Sequence, residues 1–218
     1  MVQVKICGIT RLDDAEAAIE WGANALGFIF AKSPRQVTLQ KARDITLKVS
    51  PYVKTIGVFV NEQPAEILKT MDFCGLDLVQ LHGDEPVSVC SEMAPRVIKA
   101  FRVRGEETLN EMVDYKNHVR GILLDAYQKG LNGGTGQHFD WQLAIKAKEM
   151  GIPMILSGGL KPENIQEALE RVNPAAIDVS SGIEVSPGIK DHERMRRFME
   201  NVTDYHRSKK AIGRHTFI

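Results

Sequence analysis

Short apolar runs alternate along the chain with longer stretches that mix apolar and charged residues. Each run is rich in Val, Ile, Leu or Phe and is bounded by Gly, Pro or polar residues. The eight runs cover 2–6, 26–30, 55–60, 76–81, 97–101, 121–124, 153–156 and 175–179. Short, continuously apolar runs are typical of parallel strands that are buried on both faces. The pattern therefore predicts eight such strands.

The stretches between these runs have the spacing of amphipathic helices. In the first stretch, at 13–21, Ala17, Ala18 and Trp21 share one face, and Gly22 follows as a stop signal. Further helices are predicted at 40–49, from 64, from 85, from 139 to 151, at 162–171 and at 191–206. Because strands and helices alternate over the whole chain, we expect an α/β fold with a parallel sheet.

The number of strand–helix units favours a closed barrel over an open sheet. Eight strands in a chain of 218 residues suit the smallest form of the single-domain (βα)8, or TIM, barrel. An open doubly wound sheet that binds a dinucleotide would place a Gly-rich fingerprint after the first strand, where this chain has CGIT at 7–10. We expect the barrel to cover 1–206 and a short basic tail without periodicity to cover 207–218.

The balance of charge argues against large polyanionic partners. The chain has 28 basic and 28 acidic side chains, so its formal net charge is zero. A basic surface for nucleic acid or for an anionic membrane is therefore not predicted. A small anion remains an option, because a nest of backbone N–H groups can bind it without net charge. We expect a small-molecule substrate, and the oligomeric state stays open, with a monomer as one option.

Cysteine content and hydropathy indicate the compartment. Three cysteines stand far apart without a C-x-x-C pair, which argues against disulfides and a structural zinc site. No apolar run approaches the roughly 20 residues of a membrane span. The first residues, MVQVKICGIT, lack the long apolar core of a signal peptide. We therefore expect a cytoplasmic protein that holds no metal ion.

The active site of a (βα)8 barrel lies at the carboxyl ends of its strands. The polar residues predicted there are Cys7, 32–35, Asn61, Gln80, His82, Arg102, Asp125, 157–159 and 178–182. In the first strand, Cys7 and Lys5 share one face, and the apolar residues of the other face should meet the helices. A nearby cation favours a thiolate. The alternative is that Cys7 is a buried small hydrophobic residue.

Two further features at these strand ends have both a structural and a functional interpretation. Asp125 could cap loop N–H groups, or it could act beneath a glycine-rich lid at 126–138. The glycines of the last two loops, Gly158 with Gly159 and Gly182 beside Ser181, could serve only as turn residues. They could instead form the phosphate site that this fold usually places after strands 7 and 8, with a helix N-terminus near Ser181.

Three more polar residues are candidates for substrate contact. His82 shares a strand face with Gln80, although a lone histidine could equally be packed or solvated. Arg35 follows the second strand and is placed to meet an anion, whereas most arginines are solvated. Asp178 could pair with Lys5 across the neighbouring first and eighth strands, or it could accept a hydrogen bond from a sugar hydroxyl.

Several motifs together resemble the phosphoribosylanthranilate isomerase family. The motifs are KICGIT at 5–10, SPRQV at 33–37, VQLHGDE at 79–85, LLDA at 123–126, GGTGQHFDW at 133–141, LSGGL at 156–160 and DVSSGIEVSPGIKD at 178–191. The resemblance extends in order from Val4 to about Phe198. A single glycine motif is weak, but the first, third and last of these motifs in combination are very specific.

The resemblance implies a reaction and a role for each candidate. The family carries out an Amadori rearrangement of N-(5'-phosphoribosyl)anthranilate in tryptophan biosynthesis and needs no cofactor, because a protonated imine serves as electron sink. Its general base corresponds to Cys7 and its general acid to Asp125. The remaining correspondences are Gly159, Ser181 and Gly182 to the phosphate loops, Arg35 to the anthranilate carboxylate, Asp178 to the sugar, and His82 to a strand-4 residue of less certain role.

Two alternatives stay open at this point. A histidine-pathway aminoaldose isomerase would share the fold and the chemistry, but that family has an aspartate at the position of Cys7. A non-catalytic barrel that binds phosphate would keep the glycine loops without needing both Cys7 and Asp125. The aminoaldose that the protein turns over would discriminate between these functions.

Overall fold

The computed structural model describes residues 1–103, 105–125 and 141–213, which form a closed barrel of eight parallel strands in sequence order. The strands are β1 (Gln3–Cys7), β2 (Ala25–Ile29), β3 (Lys54–Phe59), β4 (Leu78–Leu81), β5 (Val97–Arg102), β6 (Gly121–Asp125), β7 (Met154–Ser157) and β8 (Ala176–Val179). Each predicted strand begins and ends within two residues of the observed one. The predicted single-domain (βα)8 barrel is therefore confirmed.

The helices surround the strands. They are α1 (Leu12–Glu20), α2 (Leu39–Thr46), α3 (Pro64–Cys74), α4 (Val87–Met93), α5 (Glu106–Val113), α6 (Trp141–Glu149), α7 (Ile165–Val172) and α8 (His192–Gly213). A small antiparallel hairpin, β9 (Glu184–Ser186) and β10 (Ile189–Lys190), lies between β8 and α8.

Two helical segments differ from the sequence expectation. Helix α5 was not among the predicted helices; its two buried residues are Thr108 and Met112, and the first of these is polar. Helix α8 continues to Gly213, beyond the predicted end at 206, so the first part of the expected basic tail is helical. The division of the chain into a barrel domain and a separate tail stays a prediction.

The apolar core has two parts. The larger part fills the space between the strands and the helices, and it contains fully buried side chains such as Phe28 and Phe198. The smaller part lies inside the barrel and consists of Ile56, Ile98, Ala100 and Leu123. Burial of a large aliphatic or aromatic side chain stabilises the fold by about 1.5–3 kcal/mol. Because the inner cluster is small, polar side chains also occupy the barrel interior.

Strand register brings these polar side chains together. Lys5 on β1 is in register with Asp178 on β8, and Asp178 is in register with Ser157 on β7. Ser157 is in turn in register with Asp125 on β6, which pairs with Arg102 on β5. Residues far apart in sequence therefore lie in one row around the barrel, near the carboxyl ends of the strands.

Candidate active site

A cavity of about 360 Å³ opens at the carboxyl ends of the barrel strands. Its polar lining comes from β1, β4, β6, β7 and β8 and from the loops that follow β2, β7 and β8. The lining includes Cys7, Arg35, Gln80, His82, Asp125, Ser157, Gly158, Gly159, Asp178, Ser180 and Ser181. The structure thus brings all the candidate site residues together at one cavity except Gly182, which lies against Leu160 in the loop after β7.

A buried lysine organises the floor of this cavity. The Nζ atom of Lys5 donates hydrogen bonds to Gln80 Oε1 at 2.7 Å, to Asp178 Oδ2 at 3.0 Å and to Cys7 Sγ at 3.3 Å. Lys5 is only 4% exposed and Asp178 only 5%, so water does not screen their ion pair. The expected contact between Lys5 and Asp178 and the expected shared face of Lys5 and Cys7 are both confirmed.

The charges around Cys7 act in opposite directions. Burial raises the pKa of the Cys7 thiol and the Asp178 carboxylate raises it further, which outweighs the opposite effect of Lys5 and Lys190. Lys5 does favour the thiolate, as expected of a cationic neighbour, but burial of the thiol and then Asp178 outweigh it in the substrate-free site. For Lys5, burial disfavours the charged form, but Asp178 and Cys7 outweigh burial and raise the pKa of the ammonium.

A second polar contact connects two candidates on β6 and on the end of β4. The Nε2 atom of His82 lies 3.4 Å from Asp125 Oδ2, and both side chains are about one-fifth exposed. The other ring nitrogen, His82 Nδ1, lies 3.0 Å from Gln80 Nε2. Gln80 also contacts Lys5. It therefore connects the His82–Asp125 contact with the hydrogen bonds of Lys5.

Glycines shape the two loops at the far end of the cavity. Gly158 and Gly159 have φ values of 92° and 65°, in the left-handed region that only glycine adopts without strain. A Cβ atom on Gly182 would lie 1.8 Å from the carbonyl oxygen of Leu160, so the loop after β8 approaches the loop after β7 at this residue. A single 3₁₀ turn begins at Ser181, where a helix N-terminus was expected.

An ion-pair network behind the cavity contains residues to which the sequence assigned no role. Arg35 binds Glu184 through Nε and Nη2, and its Nη2 lies 2.7 Å from Glu184 Oε2. Lys190 Nζ donates to Glu184 Oε1 at 2.9 Å and to the carbonyl oxygen of Cys7 at 2.5 Å. Burial opposes the Glu184 anion, but Arg35 and Lys190 outweigh it and lower the pKa of that carboxyl. The only sequence signal was their place in the motif at 178–191.

Two buried oxygens at the cavity have no hydrogen-bond partner within the described part of the chain. They are Asp178 Oδ1 and Ser180 Oγ. A buried acceptor without a partner is costly, because it has lost its bonds to water. Such groups are therefore suited to receive hydrogen bonds from a bound molecule.

Some of the polar residues at strand ends do not join this cavity. Arg102 lines a neighbouring cavity of the same volume between β4, β5 and α5, which meets the first cavity at His82. Asn61 instead accepts a hydrogen bond from Asp84 N–H within the loops after β3 and β4. The predicted lid at 126–138 lies outside the described residues.

The described residues contain neither a metal-binding cluster nor a membrane-spanning helix. No group of three or more His, Cys, Asp or Glu side chains within 1–103, 105–125 and 141–213 is arranged to hold a metal ion. None of the described helices combines the length and the apolar character that crossing a membrane would require.

Comparison with known proteins identifies relatives of the whole barrel. The family model of N-(5'-phosphoribosyl)anthranilate isomerase matches residues 4–201. The enzymes of that name from Geobacter sp. (strain M21) and Geobacter sulfurreducens are 50% and 51% identical over 200 residues, which is 91% of this chain and 97% of each relative. The crystal structure of the Thermotoga maritima enzyme matches with a TM-score of 0.87 and 43% identity, over 94% of this chain and 100% of that one.

The closed barrel and the polar cavity at its carboxyl end define the class of the protein, an enzyme on a (βα)8 barrel that acts on a small molecule. The family within this class follows from two findings. A family model covers nearly the whole barrel, and relatives of about 50% identity carry the same name. The chain belongs to the N-(5'-phosphoribosyl)anthranilate isomerase family of tryptophan biosynthesis. A non-catalytic barrel is therefore excluded.

Proposed function

We propose that the protein converts N-(5'-phosphoribosyl)anthranilate into 1-(2-carboxyphenylamino)-1-deoxy-D-ribulose 5-phosphate, with Cys7 as general base and Asp125 as general acid. The observation that carries this proposal is that Cys7 and Asp125, on strands β1 and β6, line the same cavity together with two glycine loops. A related structure, 42% identical with a TM-score of 0.84, is a complex with the reduced form of that product. It covers 94% of this chain and 100% of the related one.

The proposed reaction needs one proton donor and one proton acceptor. Asp125 gives its proton to the furanose ring oxygen while the anilino nitrogen supplies electrons, which opens the ring and leaves a protonated imine at C1'. Cys7 then removes the proton from C2', and the electrons of that C–H bond neutralise the imine to give an enolamine. Tautomerisation of the enolamine yields the ketose. Positioned acids and bases of this kind each contribute about 10²–10⁴-fold to the rate.

The high pKa of the Cys7 thiol has a consequence for the order of these steps. Before ring opening, Asp178 and burial hold Cys7 as a thiol. The protonated imine then places a positive charge next to the carbon from which Cys7 takes the proton. An adjacent positive charge favours the thiolate. We therefore expect ring opening to precede transfer of the thiol proton to solvent in the cavity that Cys7 lines, and the thiolate then takes the C2' proton. Lys5 Nζ, 3.3 Å from the sulfur, stabilises that anion.

The other candidates bind the three parts of the substrate. The Asp178 Oδ1 atom is buried and has no partner among the described residues, so it can accept a hydrogen bond from a hydroxyl group of the ribose. Backbone N–H groups at Gly158, Gly159, Ser181 and Gly182 bind the phosphate, as the loops after strands 7 and 8 commonly do in this fold.

Arg35 is proposed to bind the anthranilate carboxylate. It lines the cavity, and the bond from its Nε to Glu184 fixes the plane of its guanidinium group. A guanidinium held in one orientation loses less conformational entropy when it binds a planar carboxylate. In this proposal His82 lies beside the substrate and contacts Asp125.

Two variants test the acid and base roles. Cys7→Ser should lower kcat by about 10²–10⁴-fold with little change in KM, because an alcohol is a far weaker base near neutral pH. Asp125→Asn should also be severely impaired, because an amide keeps the shape of the side chain but cannot give up a proton. Loss of the anthranilate-type fluorescence of the substrate measures the turnover.

Cys90→Ser is the matched control, because Cys90 is also fully buried but lies in the core between strands and helices. It should leave kcat unchanged. If Cys7→Ser turned over as fast as the unaltered protein, Cys7 would not be the base. If Asp125→Asn were equally impaired on the cyclic substrate and on a ring-opened, Schiff-base-like analogue, Asp125 would not be the acid for ring opening.

A further inference from the structure

Gln80 lies at the centre of a continuous chain of polar contacts across the floor of the barrel. On one side, its Oε1 atom lies 2.7 Å from Lys5 Nζ. On the other side, its Nε2 atom lies 3.0 Å from His82 Nδ1, and His82 Nε2 lies 3.4 Å from Asp125 Oδ2. The Gln80 side chain is only 1% exposed, so water does not compete for its two polar atoms.

The contact with Lys5 fixes the orientation of the Gln80 amide. An ammonium group can only donate hydrogen bonds, so the amide atom that faces Lys5 must be the carbonyl oxygen. The Lys5 ammonium is itself stabilised, because its pKa is raised by Asp178 and Cys7 against the effect of burial. The amide nitrogen of Gln80 must therefore face His82, and this nitrogen can only donate.

The orientation of the amide in turn selects the tautomer of His82. Since the Gln80 N–H group donates to His82 Nδ1, that nitrogen must present its lone pair, and the ring proton must be on Nε2. The protonated Nε2 atom is then the ring nitrogen that lies 3.4 Å from Asp125 Oδ2. The opposite tautomer would set two N–H groups against each other at 3.0 Å.

We propose that Gln80 is a positioning residue of the reaction, which acts through the tautomer of His82 to direct the acidic proton of Asp125 towards the substrate. The proposal rests on the proposed role of Asp125 as general acid. A His82 Nε2–H group can donate but cannot accept, so the Asp125 oxygen that faces it cannot carry the proton. The proton must then be on the other oxygen of Asp125, from which the proposed reaction transfers it to the ring oxygen.

The same tautomer assists Asp125 after it has given up its proton. The carboxylate that remains accepts a hydrogen bond from His82 Nε2–H, and hydrogen bonds to charged groups are stronger than those between neutral groups. If the proton were on Nδ1 instead, the lone pair of Nε2 would attract the acidic proton of Asp125 away from the substrate. Neither Gln80 nor Lys5 loses or gains a proton in this scheme.

The first test is a direct measurement on the unaltered protein. Ring ¹⁵N chemical shifts of His82 distinguish the two neutral tautomers and the imidazolium, and the His82→Gln spectrum assigns the signals by their disappearance. We expect a protonated Nε2 and an unprotonated Nδ1 at neutral pH. A protonated Nδ1, in either the neutral or the charged ring, would overturn the proposal whatever the role of Asp125.

A pair of substitutions at His82 tests the catalytic consequence. In His82→Gln, the side-chain amide reaches the position of Nε2 and can still donate to Asp125. In His82→Asn, the shorter amide reaches only the position of Nδ1. We expect kcat of His82→Asn to be lower than that of His82→Gln by about 10–100-fold, the range for loss of a hydrogen bond to a charged group. Equal kcat values in the two variants would overturn the proposal.

A double-mutant comparison separates this proposal from the role of Asp125. If His82 acts through Asp125, His82→Asn should cause little further loss of kcat in an Asp125→Asn background. A full additional loss there would show that His82 acts independently and would overturn the proposal. His118→Gln is the control, since His118 is a half-buried histidine that contacts Ser91 and does not line the cavity.

Failure of the general-acid role has a different signature. It would appear as high activity in the Asp125→Asn variant alone, while the His82 ring still carried its proton on Nε2.

Discussion

Two buried lysines of the barrel form ion pairs of the same length but lie in different surroundings. Lys5 lies 3.0 Å from Asp178, and Lys99 lies 3.0 Å from Glu85. All four side chains are almost completely buried. Lys99 also donates to the carbonyl oxygens of Gly83 and Ala100, and Glu85 accepts from the N–H groups of Asn61 and Gly83. Every polar atom of the Lys99 pair thus has a partner within the protein.

The Lys5 pair is incomplete by comparison. Its Asp178 carboxylate has one oxygen without a partner in the described part of the chain, and it faces a cavity instead of loop N–H groups. Since buried polar groups are nearly always satisfied, the unsatisfied pair marks the place where a ligand completes the set. The comparison shows that a buried charge pair is evidence for a binding site only when its hydrogen-bonding capacity is unfilled.

The largest expected difference comes from removal of one charge from each pair. Asp178→Asn should lower kcat/KM by about 100-fold, because the amide loses a charged contact to the substrate and leaves Lys5 buried without its anion. Glu85→Gln should leave kcat/KM unchanged but lower the free energy of unfolding by about 3–5 kcal/mol, since it leaves Lys99 buried without an anion.

Steady-state kinetics and urea denaturation of both variants make this comparison. The distinction between the two ion pairs would be wrong if Glu85→Gln reduced kcat/KM as much as Asp178→Asn does. The Lys99 pair would then also belong to the catalytic machinery.

Added volume beside the Lys5 pair should have a smaller effect. A Cβ atom on Gly27 would lie 2.8 Å from Lys5 Cε and 2.9 Å from Cys7 Sγ. On the adjacent strand, a Cβ atom on Gly57 would lie 2.7 Å from the ring of Phe59. Each Gly→Ala change should cost about 1–3 kcal/mol of stability by overpacking. Only Gly27→Ala should also reduce kcat, by about tenfold, because it displaces the thiol.

Kinetics at a temperature where both glycine variants are folded provide the measurement, with thermal unfolding as the reference. Equal kcat values for the two variants would mean that the site tolerates displacement of Lys5 and Cys7. The rate would then not depend on the exact positions of Lys5 and Cys7, contrary to what the comparison of the two ion pairs implies.

The smallest effect is expected at an exposed pair of the same type. Lys54 lies 2.8 Å from Asp77, and both side chains are partly in solvent. Burial acts against the Asp77 anion, but Lys54 and Thr55 outweigh it and lower the pKa of the carboxyl below its ordinary value of 3.8. Asp77→Asn should cost only about 0.2–1 kcal/mol at neutral pH, because solvent screens the pair.

The pH dependence of this small effect has a definite sign. A carboxyl whose pKa is lower in the folded state stabilises the protein above its unfolded pKa. That stabilisation is lost as the pH falls through the folded value. Unfolding free energies of the unaltered protein and Asp77→Asn should therefore differ above about pH 4 and converge at lower pH. A difference that grew on acidification would contradict this assignment.

The sequence was sufficient to predict the barrel strands, because each is a short apolar run, and continuous burial on both faces leaves a clear pattern. It was not sufficient for α5, where one of the two buried residues, Thr108, is polar. Among site residues, Cys7 and Asp125 could be chosen from their places at strand ends. Their proposed roles, unlike their positions, came from the family resemblance.

The charged partners of the site were harder to predict for a physical reason. Glu184 and Lys190 form a buried pair at 2.9 Å, yet in sequence they are charged residues beside a turn, which are usually solvated. Their burial depends on how the hairpin packs on Cys7 and Arg35, which local pattern does not contain. The raised pKa of Cys7 was missed for the same reason, because it depends on the burial of the thiol and then on the position of Asp178.

The contact between Lys5 and Asp178 joins the first and last strands of the barrel, across 173 residues of sequence. During synthesis at about 5–20 residues per second, roughly 9–35 s pass between the addition of these two residues on the ribosome. A nascent chain therefore has Lys5 and Cys7 without the carboxylate that balances the charge of Lys5. The thiol acquires its final environment only when β8 closes the barrel, so an incomplete chain contains the reactive residue but not the site.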